Sequence, residues 1–404
     1  MASTTTSPTD HHDTTHSGRT LNADELLVGR DSDTTPQLSV VMPTLNEEAG
    51  IQTCIDWIKT AIEDLQIPTE IIISDSSTDR TPEIAREMGA IVVEPDGKGY
   101  GYAYRYAFER TRGAYIAMGD ADTTYDFKQI PRLLDHLEET GADMVMGSRL
   151  NGEIRDGAMP SLHQYIGNPA LTRFLNTFYG AGVSDAHSGF RIFTRDAYET
   201  MDWETTGMEF ASEMIMEAGA KNLDIVEVPI VYHEREGEET LESFRDGWRH
   251  VRFMLVNAPG YLFSVPGLLL TLFGIAVMTL AHTGMALGEV TLGINSMIAG
   301  SLATIVGTQV GSLGVFATVA SDPIQQPDDP LTTGITEYAT LERGATAGVV
   351  VFAAGGAYAS WLVGDWILSG FASVPFTSAA LLAFTAVVVG IQFVFSSFFL
   401  STVN

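Results

Sequence analysis

Residues 115–123 read Tyr115-Ile-Ala-Met-Gly-Asp-Ala-Asp-Thr123, and this stretch decides the fold. Tyr115 to Met118 are apolar and β-prone, the pattern of a short buried strand. The strand stops at Gly119, and two carboxylates follow, Asp120 and Asp122, with only Ala121 between them. In an open α/β sheet, ligands bind at the carboxyl ends of the strands. Two hard oxygen donors at such an edge suit a divalent cation, Mg2+ or Mn2+, that itself grips a diphosphate. In isolation an Asp-Ala-Asp pair reads more readily as solvated loop charge than as a metal site, so the flanking chain has to decide.

Upstream, strand and helix patterns alternate. Leu38-Ser-Val-Val-Met42 reads as a strand ending at Pro43. Residues 47–65 carry Ile51, Cys54, Ile55, Ile58, Ile62 and Leu65 at helical spacing. Glu70-Ile-Ile-Ile73 is a second strand, closed by Ser74-Asp75, and Thr81-Pro82 opens the next helix. A third strand is expected at 90–93, a helix from Gly97-Lys98-Gly99 to about Arg112, and a fifth strand at 143–148. Such alternation implies an α/β domain with a mostly parallel, doubly wound sheet. Three strand ends then meet on one edge, bringing Pro43, Asn46 and Glu47 together with Asp75 and with Asp120 and Asp122.

Composition narrows the partners. The chain has 404 residues, with 51 acidic against 22 basic and a formal charge of −29. A phosphate backbone would be repelled, so nucleic acid is not an expected partner. The hydrophobic share of 45% implies a folded protein, and the acidic excess resembles the surface of a salt-adapted organism such as a halophilic archaeon. The single cysteine, Cys54, excludes an internal disulfide and a Cys-based zinc site, and its helical position makes it a core residue. Residues 1–37 are polar, with His11, His12 and His16, and are expected to form a disordered tail. They hold no apolar signal-peptide core, so the amino-terminal half is expected in the cytoplasm.

The stretches Val41-Met-Pro-Thr-Leu-Asn-Glu47, Asp75-Ser-Ser-Thr-Asp-Arg-Thr81, Gly97-Lys-Gly99, Asp120-Ala-Asp122 and Gly147-Ser-Arg149 occur in this order. Together they resemble the family-2 glycosyltransferases, which have the GT-A fold. The resemblance implies that Pro43, Asn46, Glu47, Asp75 and Lys98 bind a nucleotide sugar. It makes Asp122 the main metal ligand, with Asp120 reaching ribose or metal. Asp185-Ala-His-Ser-Gly-Phe-Arg191, Met208-Glu209-Phe210-Ala-Ser-Glu213 and Val226-Glu-Val-Pro-Ile-Val-Tyr232 follow. That order is similar to the polyprenyl-phosphate sugar synthases, the dolichol-phosphate mannose synthase type. In that group the Ser-Gly-Phe-Arg turn and the Glu-bearing helix shape the sugar and acceptor pocket. Arg149, Arg191 and Arg235 become candidates for the acceptor phosphate, since guanidinium grips phosphate in a two-pronged way. Asp185 would orient the turn or touch the sugar. Two departures stand out: Arg235-Glu-Gly237 continues with Glu238-Glu239 where a Ser-Lys pair is expected, and Thr124 stands where some members have glutamine.

Residues 168–179 place Leu171, Phe174, Leu175 and Phe178 on one helical face, directed either to the core or to a membrane surface. Residues 242–257 form an amphipathic pattern, with Arg245, Arg249 and Arg252 on one face and Phe244, Trp248, Val251 and Leu255 on another. This is the pattern of a helix in the headgroup layer. Four apolar stretches near 261–281, 295–320, 344–364 and 376–400 are each long enough to span a bilayer. Arg343 is the one basic residue after position 260 and lies between the second and third stretches, a loop expected inside the cell. The expected division is a tail over 1–37, a GT-A catalytic domain over 38–241, an interfacial helix and linker over 242–260, and an all-α transmembrane domain over 261–404. The resemblance and this layout together imply an inverting, metal-dependent enzyme. It would transfer a hexose from GDP-mannose or UDP-glucose to dolichyl or polyprenyl phosphate, at the cytoplasmic face of the cell membrane. A processive polysaccharide synthase would share the aspartate pair but carry a Gln-x-x-Arg-Trp-type segment, and none is present. A sugar nucleotidyltransferase would open with a Gly-rich, Arg-containing loop, which Pro43-Thr-Leu-Asn46 is not. An inactive membrane scaffold predicts lost metal ligands, yet both aspartates are kept.

Overall fold

A computed structural model of the chain describes residues 20–236, 243–287, 290–320, 334, 341–371 and 377–403. The polar stretch 1–19 and residues 238–241, where the Ser-Lys pair was expected, lie outside the described residues.

Seven strands form one sheet: β1 (Leu38–Thr44), β2 (Thr69–Asp75), β3 (Ile91–Val93), β4 (Tyr115–Met118), β5 (Met144–Ile154), β6 (Arg191–Thr194) and β7 (Ile225–Tyr232). Their order is β3-β2-β1-β4-β6-β5-β7, and every neighbouring pair is parallel except those made by β6. The sheet therefore has the mostly parallel, doubly wound form expected from the sequence. The chain builds outward from β1 to β3, then crosses back to lay β4 on the other side of β1. The crevice outside β1 and β4 is the switch point where such sheets bind ligands.

Side chains alternate across the pleat and fill two cores. Val40, Met42, Ile71, Ile73 and Ala117 pack under the helices α2 (Ile51–Leu65) and α5 (Ile130–Thr140). Val41, Ile72, Ile116 and Met118 pack on the other face under α4 (Tyr100–Phe108), α6 (Asn168–Tyr179) and α8 (Phe210–Ala220). Cys54 is buried within the first core, as its helical position required.

Four local expectations are corrected. Residues 20–37 are not a loose tail. A capped turn of helix at Ala23–Leu26 buries Ala23 and Leu26, and the Val28 amide donates to the Thr69 carbonyl at 2.8 Å. A few apolar residues in polar surroundings suffice when a strand edge offers them a partner. The helix expected from residue 47 begins at Ile51, because Asn46 takes a left-handed φ of 60° and residues 48–50 form a turn. Pro43 lies within β1 rather than ending it. Val41 accepts from Gly119 on the β4 side, so by alternation the ring nitrogen of Pro43 faces that side, just past the last residue of β4. The antiparallel β6 was not foreseen, and β5 runs on to Ile154, which puts Arg149 inside a strand.

The helix α9 (Ser243–Val256) joins this domain to the hydrophobic half and buries Met254 in the second core. Four helices follow, Gly260–Thr283, Ile294–Val319, Leu341–Leu368 and Ser378–Thr402, each long and apolar enough to cross a membrane. They match the four expected stretches. The first packs on the second and the third on the fourth through glycine contacts. A Cβ at Gly348 would lie 2.8 Å from the Gly390 carbonyl, so only glycine allows that approach. Gly355 and Ala359 face the fourth helix, whereas Gly356 faces open space.

Candidate active site

The strand ends bring most of the expected residues to one edge. At β1, the Asn46 side chain accepts from the Thr78 amide at 2.8 Å, while its own amide donates to Ser77 Oγ at 2.7 Å. The Glu47 amide donates to Thr81 Oγ1 at 3.0 Å. Asp75, at the end of β2, is buried and accepts from Thr44 Oγ1 at 2.7 Å and from the Ser77 amide at 3.2 Å. The two segments that the sequence linked to the nucleotide are thus laced into one cradle. Lys98 is exposed on the loop entering α4.

Asp120 and Asp122 follow β4 on the same edge. Asp120 Oδ1 accepts from the Tyr100 hydroxyl at 2.9 Å and the Tyr104 hydroxyl at 3.4 Å, both donated by α4. Burial, with the charge of Asp122 next, pushes the Asp120 carboxyl up to about 6. Asp122 Oδ1 is held by its own turn, accepting from the Thr124 amide at 3.2 Å and from Thr124 Oγ1 at 2.6 Å. Its second oxygen, Oδ2, faces Arg235 Nη1 at 3.5 Å. Thr123 between them has a φ of 64°, unusual for a β-branched residue and strained. Glu47 completes the cluster, with Oε1 2.8 Å from Arg235 Nη2. Burial raises the Glu47 carboxyl to about 7, against the opposing pull of Arg235.

The other two arginines are placed differently. Arg149 makes a two-pronged pair with Asp185, Nε to Oδ2 and Nη2 to Oδ1 both at 2.8 Å, and lies over the Tyr232 ring. Burial pushes the Asp185 carboxyl up, but Arg149 and its hydrogen bonds outweigh this and hold it below the usual range. Both oxygens of Asp185 are thus committed to Arg149. Arg191 does not present its guanidinium to the open edge, as the acceptor-phosphate expectation required. It is fully buried on β6 and donates to the carbonyls of Ser188, Ala186 and Ala211. The reason is strand alternation: β6 turns this side chain into the interior, where it braces the turn at 185–190.

Sequence reasoning missed the partners that arrive through the fold. Tyr100 and Tyr104 sit four apart on α4, one turn apart on one face, and that spacing was the available signal. Tyr125 accepts from the Gly189 amide at 2.8 Å and fixes the turn beside Asp120. Glu213, on the Glu-bearing helix, anchors residues 204–205 by accepting their amides.

Whether this edge fits a divalent cation is read from Asp122. One of its oxygens is committed to its own turn, and the other already faces a positive charge. Among the described residues no cluster of three or more His, Cys, Asp or Glu surrounds a point. Two aspartates would therefore leave the remaining positions to phosphate oxygens and water, the habit of Mg2+ and similar hard cations. The donor set fits such an ion.

Residues 39–202 match the family model described as glycosyl transferase family 2. Residues 315–404 match the glycosyltransferase family 2 C-terminal transmembrane region. The chain is 60% identical over 389 residues to the low-salt glycan biosynthesis hexosyltransferase Agl6 of Haloferax volcanii, spanning 96% of this chain and 93% of that protein. It is 36% identical over 213 residues to a dolichyl-phosphate hexose transferase of the same organism, spanning 52% of this chain and 89% of that one. A polyprenol monophosphomannose synthase of Mycolicibacterium smegmatis is 27% identical over 224 residues, spanning 50% and 79%.

Proposed function

The chain belongs to the family-2 glycosyltransferases, and on that premise we propose that it moves one hexose from a nucleotide diphosphate sugar to a polyprenyl or dolichyl phosphate. It is a multi-pass membrane hexosyltransferase related to the dolichyl-phosphate hexose transferases. The donor is GDP-mannose or UDP-glucose, and the site faces the cytoplasm. The observation that carries this reading is the meeting of the β1, β2 and β4 ends at one edge of a domain that runs through α9 into four apolar helices.

The chain's own residues divide the work. The cradle of Asn46, Glu47 and Asp75 holds the nucleoside, and Asp75 reads ribose or base through the lone pairs that Thr44 and Ser77 leave open on its two oxygens. Asp120 and Asp122 would hold a divalent cation, Mg2+ or Mn2+, which when bound would supply positive charge against the departing diphosphate. Arg149 and Arg235 supply positive charge for the phosphates. The acceptor phosphate oxygen attacks the anomeric carbon from the side opposite the diphosphate, so one displacement inverts the configuration. A lipid phosphate is already anionic at neutral pH, which makes a strong general base unnecessary.

Membranes carrying the protein, given labelled GDP-mannose or UDP-glucose with dolichyl phosphate, should yield a labelled lipid from one donor. Asp122→Ala should abolish that product while the protein stays folded and membrane-inserted. Full activity of Asp122→Ala in the presence of a chelator would contradict the metal role.

A further inference from the structure

The loop after β7 places Arg235 against the one carboxylate oxygen of Asp122 that its own turn leaves open. The placement comes from the backbone. The His233 amide donates to the Thr124 carbonyl at 2.9 Å, and the Glu236 amide donates to the Asp122 carbonyl at 3.1 Å and to Thr123 Oγ1 at 3.2 Å. Residues 233–236 are thus pinned on the aspartate turn, and only the arginine side chain is left to move. Its contact with Asp122 is long, at 3.5 Å, whereas Nη2 sits 2.8 Å from Glu47 Oε1. Its Nε is buried and has no hydrogen-bond partner among the described residues. A buried donor without an acceptor is costly and suits a group that gains a partner when ligand arrives.

We propose that Arg235 and the divalent cation are alternative partners of Asp122 Oδ2. The guanidinium covers the carboxylate edge until a cation displaces it, and Glu47 then keeps it beside β1, pointed at the donor's phosphates. This rests on the metal-dependent reading above. Arg235 is on this account a positioning residue that links cation entry to diphosphate capture.

The test is Mn2+ binding to the full-length chain in nanodiscs, followed by the electron paramagnetic resonance of free Mn2+, with no sugar turnover involved. Without nucleotide, Arg235→Met should bind Mn2+ roughly fivefold more tightly than wild type, the factor that about 1 kcal/mol of lost competition produces. Arg235→Lys, which keeps the charge on a shorter reach, should fall between the two. With UDP or GDP present the order should reverse, because the diphosphate loses its guanidinium. Asp122→Ala should lose the Mn2+ site in every background. Unchanged or weaker nucleotide-free affinity in Arg235→Met, at a site that Asp122→Ala removes, would overturn this inference and leave the metal-dependent reading standing. Absence of Mn2+ binding in all variants would overturn both.

Discussion

Asp120 and Asp122 are two positions apart and are held by different partners, Asp120 by hydroxyls from α4 and Asp122 by its own turn. Asp120 is half-buried against two tyrosine hydroxyls with its carboxyl pushed up to about 6, and neighbouring Glu47 is pushed up to about 7. Both values lie above the ordinary 3.8 and 4.5. The sign follows: the folded, metal-free protein holds these protons more tightly than the unfolded chain. Their contribution to stability is present at low pH and is lost as pH rises through about 6 to 7. A bound cation needs the ionised forms and relieves that loss. The rise in melting temperature on adding Mn2+ should therefore be small at about pH 5.5 and large at about pH 8. An equal rise at both would place cation binding elsewhere. Asp185→Ala should destabilise the protein by ~3–5 kcal/mol, because it leaves the buried Arg149 charge without its two-pronged partner. A melting temperature within a degree or two of wild type would mean that Arg149 reaches other acceptors. At this scale the aspartate pair was legible, because its spacing and place after a strand are local facts. The tyrosines were hidden because α4 meets Asp120 only in the folded chain. Arg191 was misread because the resemblance and the phosphate grip of a guanidinium suggested a ligand, while its direction depends on a strand that the sequence did not reveal.

Among the elements, β4 was readable to the residue, since four apolar residues stopped by glycine leave little choice. The spacing of Ile51, Cys54, Ile55, Ile58 and Ile62 likewise gave the buried face of α2. The strand β6 escaped because it has four residues and passes directly into the helix that starts at Arg195, with no turn signal between. Yet β6 separates β4 from β5 and places the 185–190 turn beside Asp120, so the missing strand concealed one wall of the site. The helix α4 is held to that wall by Phe108, whose ring lies within 5.5–6.4 Å of the rings of Tyr104, Phe193, Tyr198, Trp203 and Phe210. Phe108→Ala should cost ~3–5 kcal/mol and lower the melting temperature by roughly 10 °C. It should also weaken Mn2+ retention by loosening the tyrosines on Asp120. Loss of stability with unchanged Mn2+ affinity would show that α4 does not position the aspartate.

The molecule as a whole joins an α/β domain to four helices long and apolar enough to cross a membrane, and this division was the most legible feature. Hydropathy is a property of each segment alone, so four spans could be counted before any packing was known. The relation between the halves was less visible. His250 of α9 lies 2.9 Å through Nδ1 from Ser212 Oγ, and Met254 enters the core, contacts that tie the membrane-entry helix to α8. Arg249 and Arg252 are on the exposed side of α9. Replacing both by glutamate should raise the KM for the lipid acceptor severalfold while leaving nucleotide affinity near wild type. Equal loss of both would contradict a headgroup role for that face. The central claim is that the β1–β4 edge holds a cation and a nucleotide diphosphate next to the bilayer. Its most direct test is an anomalous difference map of the protein crystallised with Mn2+ and UDP or GDP. The account predicts a single strong peak between Asp122 and the diphosphate, with the nucleoside against Asp75. A nucleotide bound with no peak at Asp122, or bound away from that edge, would contradict it.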